Sequence, residues 1–462
     1  MISDVDAMLA WVGFHKFHLR VALFALAMML AAQTLRWAFI FAAPRILFSE
    51  FYIDYNVFTI RSLKYLISFP FLGVFGKAVD FFGRMRTAVF LILGALLFAC
   101  LSLIPNPVVL VVCSSAVDAF FIPALQAMAV IYVYESIEPA HKGSAVLGMS
   151  LASTFMWLII APSMAVSKGA TGRSLILSGI FMLFLPLFMA FHLNLDTLPS
   201  LVNRGFDEFV YDHLVSMRGH RRPPIPLKDF ERDHEVEKEK PTRIKTHVLT
   251  HLLLNAFSIM EFTFLTTFIE GLAIGANGNY GTALLICGLC SCLGLIVAWR
   301  LWHVPRIARW LPAIIVWVGV VAVCVLLPAG EANRYFPVNA IPVGLPGAVT
   351  VGCVFICLGI EAGKAVSTFI TLWVHPSDKR GFGMFLAVAA SSLWQFKMTT
   401  LQVTQHTAPA FYQTEAAVLF IIASYITYIL WQNKEWLSEA LGVAPVPTKG
   451  VAMATRPGFH FL

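Results

Sequence analysis

Charged residues are scarce in this chain. Asp, Glu, Lys and Arg together make up 13% of its 462 residues, whereas 58% are hydrophobic. A soluble domain carries about 25% charged residues, so the composition argues against a soluble protein. Apolar runs of about twenty residues recur along the whole chain, as membrane-spanning helices require. The short alternating segments of a membrane β-barrel are missing. We therefore predict an all-α membrane protein.

Cysteine pairs and enzyme motifs are missing as well. The eight cysteines all lie in apolar segments, so no disulfide framework is expected. The sequence shows no nucleophile beside a general base, no zinc-ligand spacing and no phosphate-cradling glycine loop. We predict a protein that is not an enzyme and needs no cofactor or metal. The net charge of +7 is more typical of membrane topology than of nucleic-acid binding. Acids stand where a signal peptide would carry cations, so no cleaved signal is expected.

The apolar runs predict twelve membrane spans in two six-helix halves. The spans lie near 20–47, 56–77, 86–105, 108–134, 143–166, 172–193, 247–270, 280–301, 308–328, 346–373, 381–404 and 413–432. Lys and Arg are concentrated in the segments that lie inside if the N-terminus is inside, which places both termini in the cytoplasm. The predicted organisation is a cytoplasmic N-terminus (1–19), an N-terminal half (20–193), a cytoplasmic central loop (194–246), a C-terminal half (247–432) and a cytoplasmic tail (433–462).

A faint repeat supports the division into halves. A proline and a basic residue precede Gly143, which opens the fifth predicted span, and the same two residue types precede Gly381, which opens the eleventh. The two glycines therefore hold the same position in each half. In the central loop that joins the halves, an amphipathic helix against the membrane is predicted by the helical spacing of Phe206, Phe209, Val210 and Leu214.

The turn between the second and third spans carries a distinctive set of residues. Gly76 has no side chain, so a neighbouring helix can approach its backbone closely. Gly83 suits a tight turn, and Asp80 beside arginines can form a charge cluster at the membrane face. The pattern resembles the loop between helices 2 and 3 of the major facilitator superfamily of transporters. The matching residues are Gly76, Asp80, Gly83, Arg84 and Arg86.

The resemblance implies the major facilitator fold and a gating role for this motif. Phe81 departs from the pattern, because the family usually has a cation there. The corresponding turn of the second half, around Trp299–His303, keeps only its basic character. An ordinary basic cytoplasmic loop is the alternative interpretation of the motif.

Ionisable residues at bilayer depth are costly, so they tend to face a wet cavity and to serve function. In this chain they fall mainly on the first, fourth, seventh and tenth spans, and the resemblance implies that these spans line a central cavity. Simple pairing of Glu361 with Lys364 and snorkelling of Lys397 are the alternative interpretations. The candidate substrate-binding residues are Arg36, Asp118, Gln126, Lys364 and Lys397, and the candidate proton-coupling residues are Glu261 and Glu361.

The segment Arg36–Pro44 also resembles helix 1 of the family's anion carriers, in which the arginine holds the anionic group of the substrate. The organophosphate:phosphate antiporters among them carry a second arginine on helix 7, where this chain has Glu261. Basic residues outnumber acids within the predicted cavity. We therefore expect a small anionic or zwitterionic organic solute, such as a carboxylate or an amino acid.

The expected function is that of a secondary active transporter working by alternating access, with protons as candidate coupling ions. We expect it to lie in the lipid bilayer and to act as a monomer. A transporter-like scaffold or receptor without transport is an alternative, because the motif has decayed in the second half. Polyspecific export of lipophilic cations is another, and the surplus of basic residues disfavours it.

Overall fold

The structure is a computed structural model. It describes residues 9, 16–51, 57–138, 141–166, 171–193, 196–205, 207–217, 248–254, 256–257, 259–260, 280–335, 346–375, 377–390, 392 and 408–432. Within these residues the regular secondary structure is entirely helical. Eight helices there are long and apolar enough to cross a membrane. This confirms the predicted all-α membrane protein.

Within the described residues, the helices overlap the predicted spans. The N-terminal half contains α1 (Lys16–Phe51), α2 (Val57–Phe82), α3 (Arg84–Leu101), α4 (Pro107–Ser136), α5 (Lys142–Val166) and α6 (Gly172–Leu193). The central segment contains α7 (Leu198–Asn203) and α8 (Asp207–Met217). The C-terminal half contains α9 (Tyr280–Trp302), α10 (Pro305–Ala308), α11 (Leu311–Tyr335), α12 (Pro346–Val374), α13 (Arg380–Ala390) and α14 (Ala408–Gln432). The described residues between 248 and 260 are helical and belong to the seventh predicted span.

The start of α4 shows how the sequence sets a helix boundary. The Asn106 side chain accepts a hydrogen bond from the backbone N–H of Val108 at 2.9 Å, as an N-cap residue does. Pro107 fits the first helical turn because its missing N–H needs no partner there. Farther along, Val117–Phe121 form a π-helical turn that contains Asp118. Such turns inside α-helices occur frequently at functional sites.

Close packing joins helices within and between the two halves. A Cβ atom on Gly288 of α9 would lie 2.7 Å from Cδ1 of Leu158 on α5, so the glycine lets these helices from opposite halves approach. Within the second half, the Trp317 indole N–H donates to the Thr427 hydroxyl at 3.1 Å and links α11 to α14. The helices are therefore joined both by close approach at a small residue and by a hydrogen bond between side chains.

The amphipathic helix predicted in the central loop is present as α8, but its buried face differs from the prediction. Val210 and Leu214 are buried as expected, whereas Phe209 is 63% exposed. The buried face continues through His213, whose ring meets Phe17 of α1 edge-on at 5.5 Å. Residue 209 points away because it lies about 100° around the helix from residue 210.

Several predictions lie outside the described residues. These include the candidate residues Glu261 and Lys397, most of the cytoplasmic central loop, the tail 433–462 and most of the N-terminal segment 1–19. The boundaries 20–193 and 247–432 of the two halves stay predictions.

Candidate functional site

Asp80 of the sequence motif joins α2 to the start of α13 in the other half. Its Oδ1 accepts a hydrogen bond from the Gly381 N–H at 3.0 Å, and its Oδ2 accepts one from the Phe382 N–H at 2.7 Å. The first N–H groups of a helix have no partner inside the helix, and the helix dipole favours a negative charge there. The carboxylate is therefore well matched to this end of α13. We call the end of the bundle that carries Asp80 the motif end.

Gly76 allows this contact because it brings the α2 backbone against α13. A Cβ atom on Gly76 would lie 2.9 Å from the Cβ of Phe385 and 3.0 Å from the Cα of Phe382. Backbone and Cβ atoms cannot swing aside as a flexible side chain does. Any larger residue at position 76 must therefore push the two helices apart.

Arg84 and Glu135 form a buried ion pair beside Asp80. The Arg84 guanidinium donates from Nε to Oε2 of Glu135 at 3.0 Å and from Nη2 to Oε1 at 2.9 Å. Both side chains are almost completely buried, at 1% and 0% exposure. Arg84 Nη1 also lies 3.0 Å from Oδ1 of Asp80, and Nη2 donates to the Ser377 carbonyl at 3.0 Å. Two-pronged arginine–carboxylate pairs are strong and geometrically specific.

Glu135 is the centre of this charge cluster, and sequence reasoning missed it. Its Oε1 accepts from Arg380 of the other half at 3.3 Å, and its Oε2 accepts from the Thr197 hydroxyl at 2.6 Å. A buried carboxylate is tolerated only when it is paired and hydrogen-bonded, and here Arg84, Arg380 and Thr197 meet that need. Its position at the end of an apolar span, just before the repeat that leads into Gly143, is the one signal that could have identified it.

Asp196 ties the central segment to the same cluster. Its Oδ1 accepts from the backbone N–H of Arg84 at 2.9 Å and thereby caps the start of α3. Its other oxygen pairs with Arg204. Gly83 makes room for this cap: its φ of +96° belongs to the left-handed region, and a Cβ there would collide with the Asp196 carboxylate. The turn glycine of the motif is thus explained by a partner more than a hundred residues away in sequence.

The two remaining motif positions, Arg86 and Phe81, are both exposed. Arg86 lies in the first turn of α3, on its exposed side. Phe81 is 75% exposed and packs edge-on against Phe82 at 5.0 Å. The structure therefore builds the cluster from Gly76, Asp80, Gly83 and Arg84. The gating role of all five matching motif residues, including Arg86, stays a prediction.

A layer of aromatic rings adjoins the charge cluster. Lys142 Nζ lies 4.9 Å from the centre of the Tyr134 ring and the Arg380 guanidinium carbon lies 5.1 Å from it, both within cation–π distance. Tyr134 also meets Phe369 of α12 at 6.0 Å, and Phe369 meets Trp302 of α9 edge-on at 4.9 Å. The rings of both halves thus pack together at the motif end.

The candidate cavity residues that the structure describes are half-buried on α1, α4 and α12. They are Arg36, Asp118, Gln126, Glu361 and Lys364. Lys364 Nζ lies 3.6 Å from Oε1 of Glu361, so the pairing that is the alternative interpretation of these residues is present. Their roles in binding or proton transfer stay predictions.

An unpredicted contact between α1 and α5 flanks Arg36. The indole of Trp37 stacks on that of Trp157 with ring centroids 5.6 Å apart and an interplanar angle of 4°. One turn earlier, the Gln33 amide donates to the Ser153 hydroxyl at 2.9 Å. These buried contacts fix the part of α1 that carries Arg36.

Comparison with known proteins identifies the family. The sequence model of the Major Facilitator Superfamily matches residues 22–396, and the chain therefore belongs to this superfamily of transporters. It is an integral multi-pass membrane protein and not an enzyme. No curated protein sequence matches the chain significantly.

Solved structures share the fold at low sequence identity. The partially occluded, inward-open xylose transporter XylE from E. coli has a TM-score of 0.64 and 12% identity, over 90% of this chain and 97% of that one. XylE described as a proton:xylose symporter, bound to 6-bromo-6-deoxy-D-glucose, gives 0.64 and 12% over 90% and 96%. The human organic anion transporter MFSD10 (TETRAN) gives 0.56 and 13% over 89% and 99%. These similarities confirm the predicted twelve-helix major facilitator fold.

Proposed function

We propose that this protein is a secondary active transporter that moves a small anionic or zwitterionic organic solute, such as a carboxylate or an amino acid, by alternating access. The contact of Asp80 with the start of α13 carries this proposal. This contact joins the two halves at the motif end through hydrogen bonds and helix packing. Such a contact can break and re-form as one half rocks against the other.

The charge of the solute is argued from Arg36. Lys364 lies 3.6 Å from Glu361 on α12 and stays a second candidate for binding the anionic group. Arg36 is half-buried on α1 beside the fixed Trp37, and its planar guanidinium suits two-pronged binding of a carboxylate. We therefore assign the anionic group of the solute to Arg36. One of the similar structures is an organic anion transporter, in agreement with this assignment.

Protons are the proposed coupling ions, with Glu261 and Glu361 as the proposed carriers. A carboxylate in a low-dielectric site binds a proton more readily than one in water. Glu361 already lies 3.6 Å from Lys364 on the same helical face. Glu261 has no basic residue within one turn in sequence, so we favour Glu261. Another of the similar structures is a proton:xylose symporter, which makes a neutral sugar the competing solute class.

Uptake into liposomes that contain the purified protein tests the solute class. We expect labelled monocarboxylates or amino acids to accumulate under an imposed proton gradient, while labelled xylose does not. Arg36→Lys keeps the charge but loses the planar fork, so it should reduce this uptake strongly. Uptake of xylose alone would overturn the anion assignment. Failure of the folded protein to take up any of these solutes would favour the scaffold or receptor alternative.

We also place the motif end, both termini and the loop 194–246 on the cytoplasmic side, because Lys and Arg are concentrated in the short segments on that side. A single cysteine at Phe230, in a background without native cysteines, should resist an impermeant thiol reagent added to intact cells. Labelling from outside would reverse this orientation.

A further inference from the structure

The two halves meet at the motif end through two matching junctions. Gly381 opens α13, and a Cβ atom there would lie 2.6 Å from the Asp80 carboxylate of α2. Gly143 lies at the start of α5, and a Cβ atom there would lie 2.9 Å from the indole nitrogen of Trp302 on α9. The repeat in the sequence gives the two glycines the same position in their halves. Each is therefore contacted by the end of a helix from the opposite half.

The two junctions differ in chemistry. A carboxylate accepts hydrogen bonds, and Asp80 uses both oxygens to cap the free N–H groups of α13. An indole has only an N–H donor, so Trp302 cannot accept from the free N–H groups at the start of α5. The second junction therefore depends on packing. Trp302 is buried, at 8% exposure, and its ring meets Phe369 edge-on at 4.9 Å.

This packing continues into the charge cluster. Phe369 contacts Tyr134 of the other half at 6.0 Å, and the Tyr134 ring carries the guanidinium of Arg380 at 5.1 Å. Arg380 in turn donates to Glu135 at 3.3 Å. The Trp302 ring is thus connected, through Phe369 and Tyr134, to the charge cluster that contains Asp80.

We propose that Trp302 is a positioning residue of the gate, by which we mean the two junctions at the motif end. Trp302 closes the second junction by aromatic packing, whereas Asp80 closes the first junction by hydrogen bonding. The proposal rests on the proposed alternating access. It explains how the gate closes although the sequence motif has decayed around Trp302. One junction depends on a charge and the other does not, and both act on one closing equilibrium.

Distances between spin labels measure this equilibrium without a known solute. One label is placed at Asp212 on α8 and the other at Lys379 before α13, both exposed positions, in a background whose native cysteines are replaced. Trp302→Ala should lower the closed-to-open ratio by about tenfold, the scale of a lost aromatic contact. Trp302→Phe keeps a ring and should lower it less.

A pair of glycine substitutions separates the gate contact from general effects on α5. Gly143→Ala places a methyl group 2.9 Å from the Trp302 indole and should also favour the open state. Gly148→Ala adds the same methyl group to the same helix where nothing lies within 4 Å, and should leave the ratio unchanged. Equal effects of the two alanines would overturn the proposed contact.

Asp80→Asn in the same labelled protein distinguishes failure of this inference from failure of the proposed function. If Asp80→Asn opens the motif end while Trp302→Ala leaves the distances as in the wild type, Trp302 has no gating role. If the motif end stays closed in both variants, the inference fails together with the alternating access on which it rests. Opening of the motif end by both Asp80→Asn and Trp302→Ala is the expected result.

Discussion

Asp80→Asn removes the negative charge at the junction of α2 with α13 and leaves the shape of the side chain nearly unchanged. In the closed motif end the two carboxylate oxygens accept the N–H groups of Gly381 and Phe382 at 3.0 and 2.7 Å. Asparagine keeps one acceptor oxygen but replaces the other with an NH₂ donor, which cannot accept an N–H. A hydrogen bond to a charged group contributes about 1.5–3 kcal/mol. Loss of one such bond should therefore lower the closed-to-open ratio by about ten- to a hundredfold.

The spin-label pair on α8 and at Lys379 reads this ratio directly, and solute exchange in liposomes reads its consequence for turnover. Exchange should slow because the closed state becomes rare, while folding and membrane insertion stay intact. Asp378→Asn is the matched control, since Asp378 is an exposed acid close to the same junction. It should change neither readout. Wild-type distances and turnover in Asp80→Asn would refute the reasoning, and so would equal effects of the two substitutions.

Four further outcomes follow from the structure. Gly76→Ala should open the motif end and slow exchange, because its methyl group would meet α13 at 2.9 Å, whereas Gly73→Ala, with nothing within 4 Å, should do neither. Arg36→Ala should weaken solute binding by about ten- to a hundredfold, measured by concentration-dependent uptake; normal uptake would place the anchor elsewhere. Glu261→Gln should retain exchange but lose gradient-driven uptake in the same liposomes, and equal loss of both would indicate a binding or structural role. Burial lowers the pKa of His213 to about 4, so docking of α8 should be stable above about pH 6.5 and weaken as the pH falls toward 4. A spin label on α8 should gain mobility in acid, and His213→Leu should abolish that change.

The helices could be predicted from the sequence because the length of an apolar run directly reflects the thickness of the bilayer. The roles of Gly76 and Gly83 could be anticipated because a close approach and a tight turn each restrict the residue type locally. The charge cluster around Asp80 could be anticipated from the arginines beside it. The identity of the group that Asp80 caps could not be read this way, since α13 lies some three hundred residues farther along the chain.

The residues that were missed share one property. Glu135, Asp196 and Arg204 make contacts that depend on how distant segments meet, and each looks like an ordinary charged residue at the end of a span or in a loop. Trp302 was noted only as part of a decayed motif, because a gate contact made by packing leaves no charge pattern. The buried face of α8 was predicted in part, since helical spacing gives the period of a helix but not which of two adjacent stripes is covered.

Counterflow in liposomes tests alternating access most directly. A carrier that exposes one site to each side in turn should take up labelled solute faster when the liposomes are preloaded with unlabelled solute, because the loaded site returns more readily than the empty one. We predict a transient accumulation of label above equilibrium that depends on the preload and is lost in Arg36→Ala. Flux that is independent of the preload, or no flux of any tested carboxylate, amino acid or sugar, would contradict the account.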